Sequence, residues 1–141
     1  MSDIDELTRL FDEYRVFYEQ TSDLALARSF LTKRIEQDES RIFIADNGGG
    51  SCCGFTQLFP SFSSVSALPI WILNDLYVQS SARKQGVGRR LMNKARDFAV
   101  ETESKGILLE TAKTNVSAQA LYEALGYQKN KGSFFYFLNT P

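Results

Sequence analysis

Between Ile72 and Met92 the chain reads ILNDLYVQSSARKQGVGRRLM, and no other segment restricts the fold as much. An apolar run stops at Tyr77-Val78 and a polar loop crosses Gln79 to Ala82. Arg83-Lys84-Gln85-Gly86-Val87-Gly88 then opens a stretch of helical periodicity. A glycine-rich turn between strand and helix leaves several backbone N–H groups unpaired at the positive end of a helix dipole. Such a turn is an anion site, and pyrophosphate is its usual guest.

The periodicity of the remaining sequence predicts the elements around this turn. Asp3 or Ser2 is placed to cap a first helix, with Glu6 at capping-box spacing from Asp3. Ile4, Leu7, Leu10, Phe11, Tyr14, Phe17 and Tyr18 recur at helical intervals and predict one apolar face. A second helix is expected from Asp23 to Gln37, with Leu24, Ala27, Phe30, Leu31 and Ile35 inward. The period then changes: Arg41 to Ala45 reads as a strand, Asp46 to Ser51 as a turn, and Cys53 to Phe59 as the hairpin partner. The serine-rich stretch from Pro60 to Pro69 reads as a loop or an irregular strand start. Ile70 to Val78 reads as a long apolar strand interrupted by Asn74 and Asp75. Gly86 to Glu103 predicts a helix with Val87, Leu91, Ala95, Phe98 and Ala99 along one stripe. Gly106 to Glu110 predicts a short buried strand, and Asn115 to Leu125 a helix closed by Gly126. The aromatic run Phe134 to Phe137 is expected to close the chain as a strand. The order α-α-β-β-β-α-β-α-β, without repeat or linker, predicts a single α/β domain with a mixed sheet over residues 1–141.

Composition removes several functions. An apolar fraction of 43% and a charged fraction of 23% are those of a soluble globular protein. A net charge of −1 does not suit a nucleic-acid partner. Basic residues do gather at Arg83, Lys84, Arg89, Arg90, Lys94 and Arg96, either as a solvated helix face or, beside the glycine turn, for an anionic ligand. No apolar run approaches the roughly eighteen residues of a membrane span, so no membrane partner is expected. The acidic start MSDIDELTRLFDEYR lacks the features of a signal peptide. Cys52 and Cys53 are adjacent, which makes a mutual disulfide geometrically implausible. A reduced, cytoplasmic protein is therefore expected. The chain contains no histidine. That excludes every histidine-based triad, and no metal site is expected.

The glycine turn by itself fits several nucleotide folds. A Walker A loop is absent, and the third glycine of a dinucleotide fingerprint is missing, since Arg90 and Leu91 follow Gly88. Gly48-Gly49-Gly50 reads as a hairpin turn. What remains is R-x-x-G-x-G after a strand ending L-Y-V, followed downstream by Asn115-Val116-Ser117-Ala118-Gln119-Ala120-Leu121-Tyr122-Glu123-Ala124-Leu125-Gly126-Tyr127. Together these resemble the GNAT (Gcn5-related N-acetyltransferase) superfamily. Its acetyl-CoA loop is [QR]-x-x-G-x-[GA], and its second motif N-x-x-A-x-x-L-Y-x-x-x-G-[FY] is matched at every fixed position. The element order fits over nearly the whole chain, except that the family usually begins with an edge strand before its first helix; here that strand is missing or very short, or the sequence begins after it. Leu73-Asn74-Asp75-Leu76-Tyr77-Val78 is similar to the corresponding strand of polyamine and thialysine acetyltransferases and of histone- and polyamine-acetylating fungal enzymes. Asn74 stands where the polyamine enzymes carry Glu.

The resemblance implies a role for each motif residue. Acetyl-CoA would be the cosubstrate, its pyrophosphate held by the backbone of Arg83, Lys84, Gln85, Gly86, Val87, Gly88 and Arg89. Leu76, Tyr77 and Val78 would meet the pantetheine, the Leu76 amide polarising the thioester carbonyl. Asn115 caps its helix and, with Ala118 and Tyr122, would border the cofactor. Tyr122 would protonate the departing thiolate, or it is a helix tyrosine packed on the sheet. An alkyl ammonium with a pKa near ~10.4 is only about one part in a thousand neutral at pH 7, so its proton needs an acceptor. Asp75 is the leading candidate, acting directly, through water or by binding the cation; a structural salt bridge is the competing role. Asn74 can only orient, and Glu19 and Asp23 are either solvated surface residues or further carboxylates for a cationic amine. Two functions follow. The first is acetyl transfer to a primary amine, such as a polyamine, a lysine-like amino acid or a protein lysine. The second is a non-catalytic acyl-CoA sensor or interaction module. A homodimer is expected from the resemblance.

Overall fold

The computed structural model describes residues 3–141. The described chain divides into two compact parts, one ending at Glu110 and the other Thr111–Pro141. In the first part the elements run α1 (Asp3–Phe17), α2 (Leu24–Glu36), β1 (Arg41–Asp46), β2 (Cys52–Ser63), β3 (Leu68–Val78), a 3-10 turn at Ser80–Ala82, α3 (Val87–Glu101) and β4 (Ile107–Leu109). The strands form one sheet in the order β1-β2-β3-β4, with β4 parallel to β3 and the other pairs antiparallel. This is the mixed α/β sheet expected from the sequence.

Alternation along the strands sends neighbouring side chains to opposite faces. Ile42, Ile44, Cys52, Phe55 and Tyr77 pack with Leu7, Leu10 and Phe11 of α1 and Ala27 and Leu31 of α2. Phe43, Ala45, Cys53, Leu76 and Val78 pack on the other face with Val87 and Leu91 of α3. The two adjacent cysteines are thus both buried and free, on opposite faces. Gly48 and Gly50 take φ of +91° and +82° in the turn between β1 and β2, where Asn47 N–H closes on the Ser51 carbonyl at 3.0 Å. The triple glycine is a hairpin turn, as its position suggests.

The structure corrects several local expectations. Pro60 to Ser63 continue β2 and pair with Leu68 to Trp71, so the hairpin extends through most of the serine-rich stretch. Phe17, Tyr18, Leu24 and Ile35 keep 56%, 47%, 55% and 50% of their surface exposed, because α1 and α2 each turn only part of their apolar stripe to the sheet. Glu6 does not complete a capping box. Asp3 already lies inside α1, Ser2 falls outside the described residues, and the Glu6 carboxylate accepts instead from Arg9, Ser51 Oγ and the Cys52 amide. Those three donors, the Arg9 guanidinium first, hold its pKa down at about 2.

The second part contains α4 (Val116–Ala124), capped by Asn115, whose Oδ1 accepts from Ala118 N–H at 3.3 Å. Gly126 follows at φ +97° and ends the helix in the left-handed conformation. The expected closing strand does not form among the described residues. Phe134 to Phe137 have no ladder partner and remain 76–94% exposed. Aromatic residues favour strands only where a neighbouring edge receives their backbone groups.

Candidate active site

β3 carries the features that make the site. On one edge it pairs with β4 only at Trp71, Ile72 and Leu73. On the other it follows β2 as far as Val78, and Gln79 N–H donates to the Cys53 carbonyl at 2.9 Å. Backbone groups alternate in direction along a strand, so those of Asp75 and Tyr77 turn to β2 with Gln79. Those of Leu76 and Val78 turn to the edge that β4 has left. The Val78 carbonyl takes a hydrogen bond from Arg83 Nε at 2.9 Å. β4 supplies no partner for the Leu76 N–H and carbonyl, an arrangement that suits an extended amide-bearing ligand.

The register between β2 and β3 slips at Gln57/Leu58, which face Asp75 and Leu73 and leave Asn74 as an extra residue. A bulge of this kind re-aims side chains. It explains why the consecutive residues Asn74 and Asp75 both line one cavity, of about 400 Å³, between α1, α2 and β3. Aromatic Phe11, Tyr14, Tyr18 and Phe30 form much of its wall, and Arg15 and Gln20 add polar groups. Phe30 stacks on Phe11 with ring centroids 5.6 Å apart, and the Tyr14 hydroxyl donates to the Asn74 carbonyl at 3.3 Å.

Asp75 is only 3% exposed. Gln57 Nε2 donates to its Oδ2 and Asn74 Nδ2 to its Oδ1. Gln57 is fixed in turn by Ser40 Oγ, which donates to its Oε1 at 2.8 Å. Burial raises the Asp75 pKa above the ordinary carboxylate value, while hydrogen bonds from Gln57, Tyr14 and Asn74 oppose the rise. A carboxylate destabilised in this way is a stronger base than an exposed one. The structural salt bridge considered for it does not form among the described residues.

The glycine turn lies past the end of β3. Gly86 is the N-cap of α3 at φ +80°, a backbone conformation that costs little only for glycine. Lys84 also holds a positive φ, +64°, with no such freedom. Arg90 N–H is the first to close on a helical carbonyl, that of Gly86 at 3.0 Å. The amides of Val87, Gly88 and Arg89 ahead of it have no intrahelical acceptor, and no side chain caps them. Gly88 sits in this first turn without a left-handed φ, so its backbone conformation does not demand glycine. These residues fit a phosphate: free amides at a helix start, with Lys84 and Arg89 exposed beside them. Arg83 is occupied differently. Besides its bond to Val78, its guanidinium lies 5.8 Å from the ring centroids of both Phe17 and Tyr77.

The residues expected to meet the substrate separate into two groups. Asn74 and Asp75 reach the cavity; Glu19 and Asp23 are not among its lining residues. Asp23 instead caps α2, accepting from Leu26 N–H at 3.0 Å, and Glu19 sits exposed in the preceding turn at φ +65°. In the second part of the chain, Tyr122 lies on α4 with its ring centroid 6.0 Å from that of Tyr127. Burial, with a smaller contribution from Tyr122, pushes the Tyr127 phenol up to about 12.

Sequence reasoning missed Arg15, Gln57 and Gly54. Nothing in the local pattern marks the first two, since their role comes from elements distant in the chain. Gly54 carried a signal, a glycine inside a strand. A Cβ there would lie 2.9 Å from the Tyr77 carbonyl oxygen, 3.2 Å from Val87 Cγ1 and 3.3 Å from Leu91 Cδ1. Its absence lets the start of α3 settle against β2.

Relatives of the chain share this architecture. Residues 4–127 match the Acetyltransferase (GNAT) family. The chain is 46% identical over 140 residues to "Uncharacterized N-acetyltransferase YhfO" of Bacillus subtilis, covering 99% of this chain and 93% of that protein. It is 33% identical over 127 residues to "Probable acetyltransferase" of Haemophilus influenzae, covering 90% and 85%. The crystal structure of a probable acetyltransferase superposes with a TM-score of 0.91 at 38% identity, covering 98% of this chain and 92% of its own. Among the described residues no helix is long and apolar enough to cross a membrane. With the phosphate-fitting turn, the open β3 edge and these relatives together, the chain belongs to the Acetyltransferase (GNAT) family and is an N-acetyltransferase with acetyl-CoA as cosubstrate.

Proposed function

We propose that residues 1–141 form one cytoplasmic acetyltransferase domain that acts on a primary amine. The acceptor is a small cationic amine such as a polyamine or lysine-like amino acid, or a protein lysine. The observation that carries this reading is the adjacency, within β3, of an open backbone edge at Leu76 and a buried, hydrogen-bonded carboxyl at Asp75 facing a cavity. Acetyl-CoA, when bound, supplies the acetyl group as a thioester with a thiol leaving group. The amides of Val87, Gly88 and Arg89, with Lys84 and Arg89 alongside, hold the pyrophosphate. The Leu76 N–H donates to the thioester carbonyl oxygen, where a fixed donor acts most strongly as negative charge develops. Asp75 accepts the proton of the ammonium, and Asn74 orients the amine. Tyr122, in the second motif, gives a proton to the departing sulfur. The motif match supports that role, and Asn115 and Ala118 of the same motif border the cofactor. A homodimer is the assembly expected for this family.

Release of CoA thiol, measured with acetyl-CoA across a panel of amines and basic peptides, tests the reading. Release above hydrolysis with at least one amine is expected. Acetyl-CoA that raises the melting temperature without any amine-dependent release would point to a sensor instead. Tyr122→Phe should lower turnover by about 10²-fold or more while acetyl-CoA affinity is retained; unchanged turnover would remove Tyr122 from the acid role.

A further inference from the structure

The cavity between α1, α2 and β3 holds a second charge that acetyl transfer itself does not require. Arg15 lines it together with Asp75, and Arg15 Nη1 is buried without a hydrogen-bond partner. Among the described residues Arg15 makes no ion pair, although Arg9 of the same helix is held by Glu6 and Glu13. A buried donor without an acceptor has lost its hydration with nothing in return, and the loss is greater when the group is charged. A carboxylate offsets that cost well, because the guanidinium fork matches its two oxygens.

The cavity therefore offers opposite charges to two parts of one ligand. Asp75, held by Gln57 and Asn74, suits an ammonium. Arg15 repels a second cation, so a polyamine is poorly matched, and a lysine side chain within a protein brings no carboxylate of its own to this depth. The remaining wall is mostly aromatic and aliphatic, with Phe11, Tyr14, Tyr18, Phe30 and Leu26. We propose that the acceptor is a free amino acid with an apolar or aromatic side chain, its carboxylate held by Arg15 and its amino group at Asp75. This rests on the acetyltransferase reading above and, within the primary amines, replaces the cationic amines and protein lysine named there with a zwitterionic amino acid. The bond between amine nitrogen and acyl carbon forms as the carbon–sulfur bond breaks. Of the two protons lost from the ammonium, one is balanced by the proton delivered to sulfur and the other passes through Asp75 to solvent. The products are the N-acetylamino acid and CoA thiol.

The test compares kcat/KM for phenylalanine and leucine with that for their amides and decarboxylated amines, for spermidine and for a lysine-containing peptide. The free acids should be preferred over their amides and amines by about tenfold or more. Arg15→Gln should collapse that ratio toward one, and Arg15→Lys should restore part of it. Calorimetric binding of phenylalanine and phenylalaninamide gives a readout that needs no turnover, and Arg15→Gln should weaken the acid by about tenfold with little effect on the amide. Faster acetylation of spermidine or the peptide than of any amino acid overturns the proposal while leaving the acetyltransferase reading intact. So does an acid-to-amide ratio that Arg15→Gln leaves unchanged. If no amine of any kind releases CoA, the acetyltransferase reading fails, and the binding comparison alone decides whether Arg15 recognises a carboxylate.

Discussion

On the α3 face of the sheet, one uninterrupted stretch from Leu76 to Arg89 supplies the open strand edge, the strained turn and the free helix amides. On the α1–α2 face, the cavity is assembled from Phe11, Arg15, Phe30 and Asp75, which belong to three elements spread over half the chain. The two faces use different chemistry. In the proposed reading, phosphate would be held by backbone N–H groups, which demands a fixed local conformation and tolerates almost any side chain except where φ is positive, as at Gly86. The proposed recognition of an amine would rely on side chains brought together across the core. Such a pocket could change its acceptor by substitution on α1 or α2 without disturbing the turn proposed to hold the donor.

If the faces are separable in this way, their variants should fail differently. Asp75→Asn should lower amine turnover by about 10²-fold or more, since it removes the proposed general base. Acetyl-CoA affinity, measured by calorimetry, should stay near wild type; a comparable loss of affinity would break the division. Gly86→Val should do the converse. A β-branched residue at φ +80° stores about 1–3 kcal/mol of backbone strain, so acetyl-CoA binding should weaken by about 5- to 150-fold while binding of the amine persists. Gly54→Ala should disturb β3, which both faces share, as well as α3, because the added Cβ meets the Tyr77 carbonyl together with Val87 and Leu91. Denaturant unfolding should show a loss of about 1–3 kcal/mol, and both substrates should suffer in kinetics.

The smallest expected effect is a pH dependence confined to the α1–α2 face. Asp75 has a raised pKa in the folded protein. Below the ordinary carboxyl value, near 3.8, folded and unfolded chains both carry its proton and ionisation costs nothing. As pH rises through the folded value, the folded state must charge a buried group, so this contribution to stability is lost. Asp75→Asn removes that titration. Its melting temperature relative to wild type should therefore climb from acid to neutral pH, and a constant difference would show that Asp75 ionises without penalty.

How much of this could be read in advance varies with the range of the interactions involved. Val87, Leu91, Ala95 and Ala99 announced α3 by spacing, and they are buried along one stripe. Gly48 and Gly50 announced the hairpin because only a left-handed turn explains them there. The same periodicity overstated the buried faces of α1 and α2. It marks Tyr18 and Phe30 for an apolar face, but not as the wall of a cavity. Asp75 stood out as an acid in an apolar strand. Its partner Gln57 looked like any strand residue, and Asp23, which seemed free for a substrate, is occupied at a helix end.

The sequence by itself determined the strand–turn–helix with its phosphate-fitting amides, because those features depend on neighbours within a few residues. Tertiary structure alone decided what lies opposite. The bulge at Asn74 depends on register with β2, the burial of Asp75 on α1, and the unpartnered Arg15 Nη1 on where α1 meets the sheet. Local chain geometry sets backbone chemistry, whereas the partners of a buried side chain exist only once distant segments have packed around it.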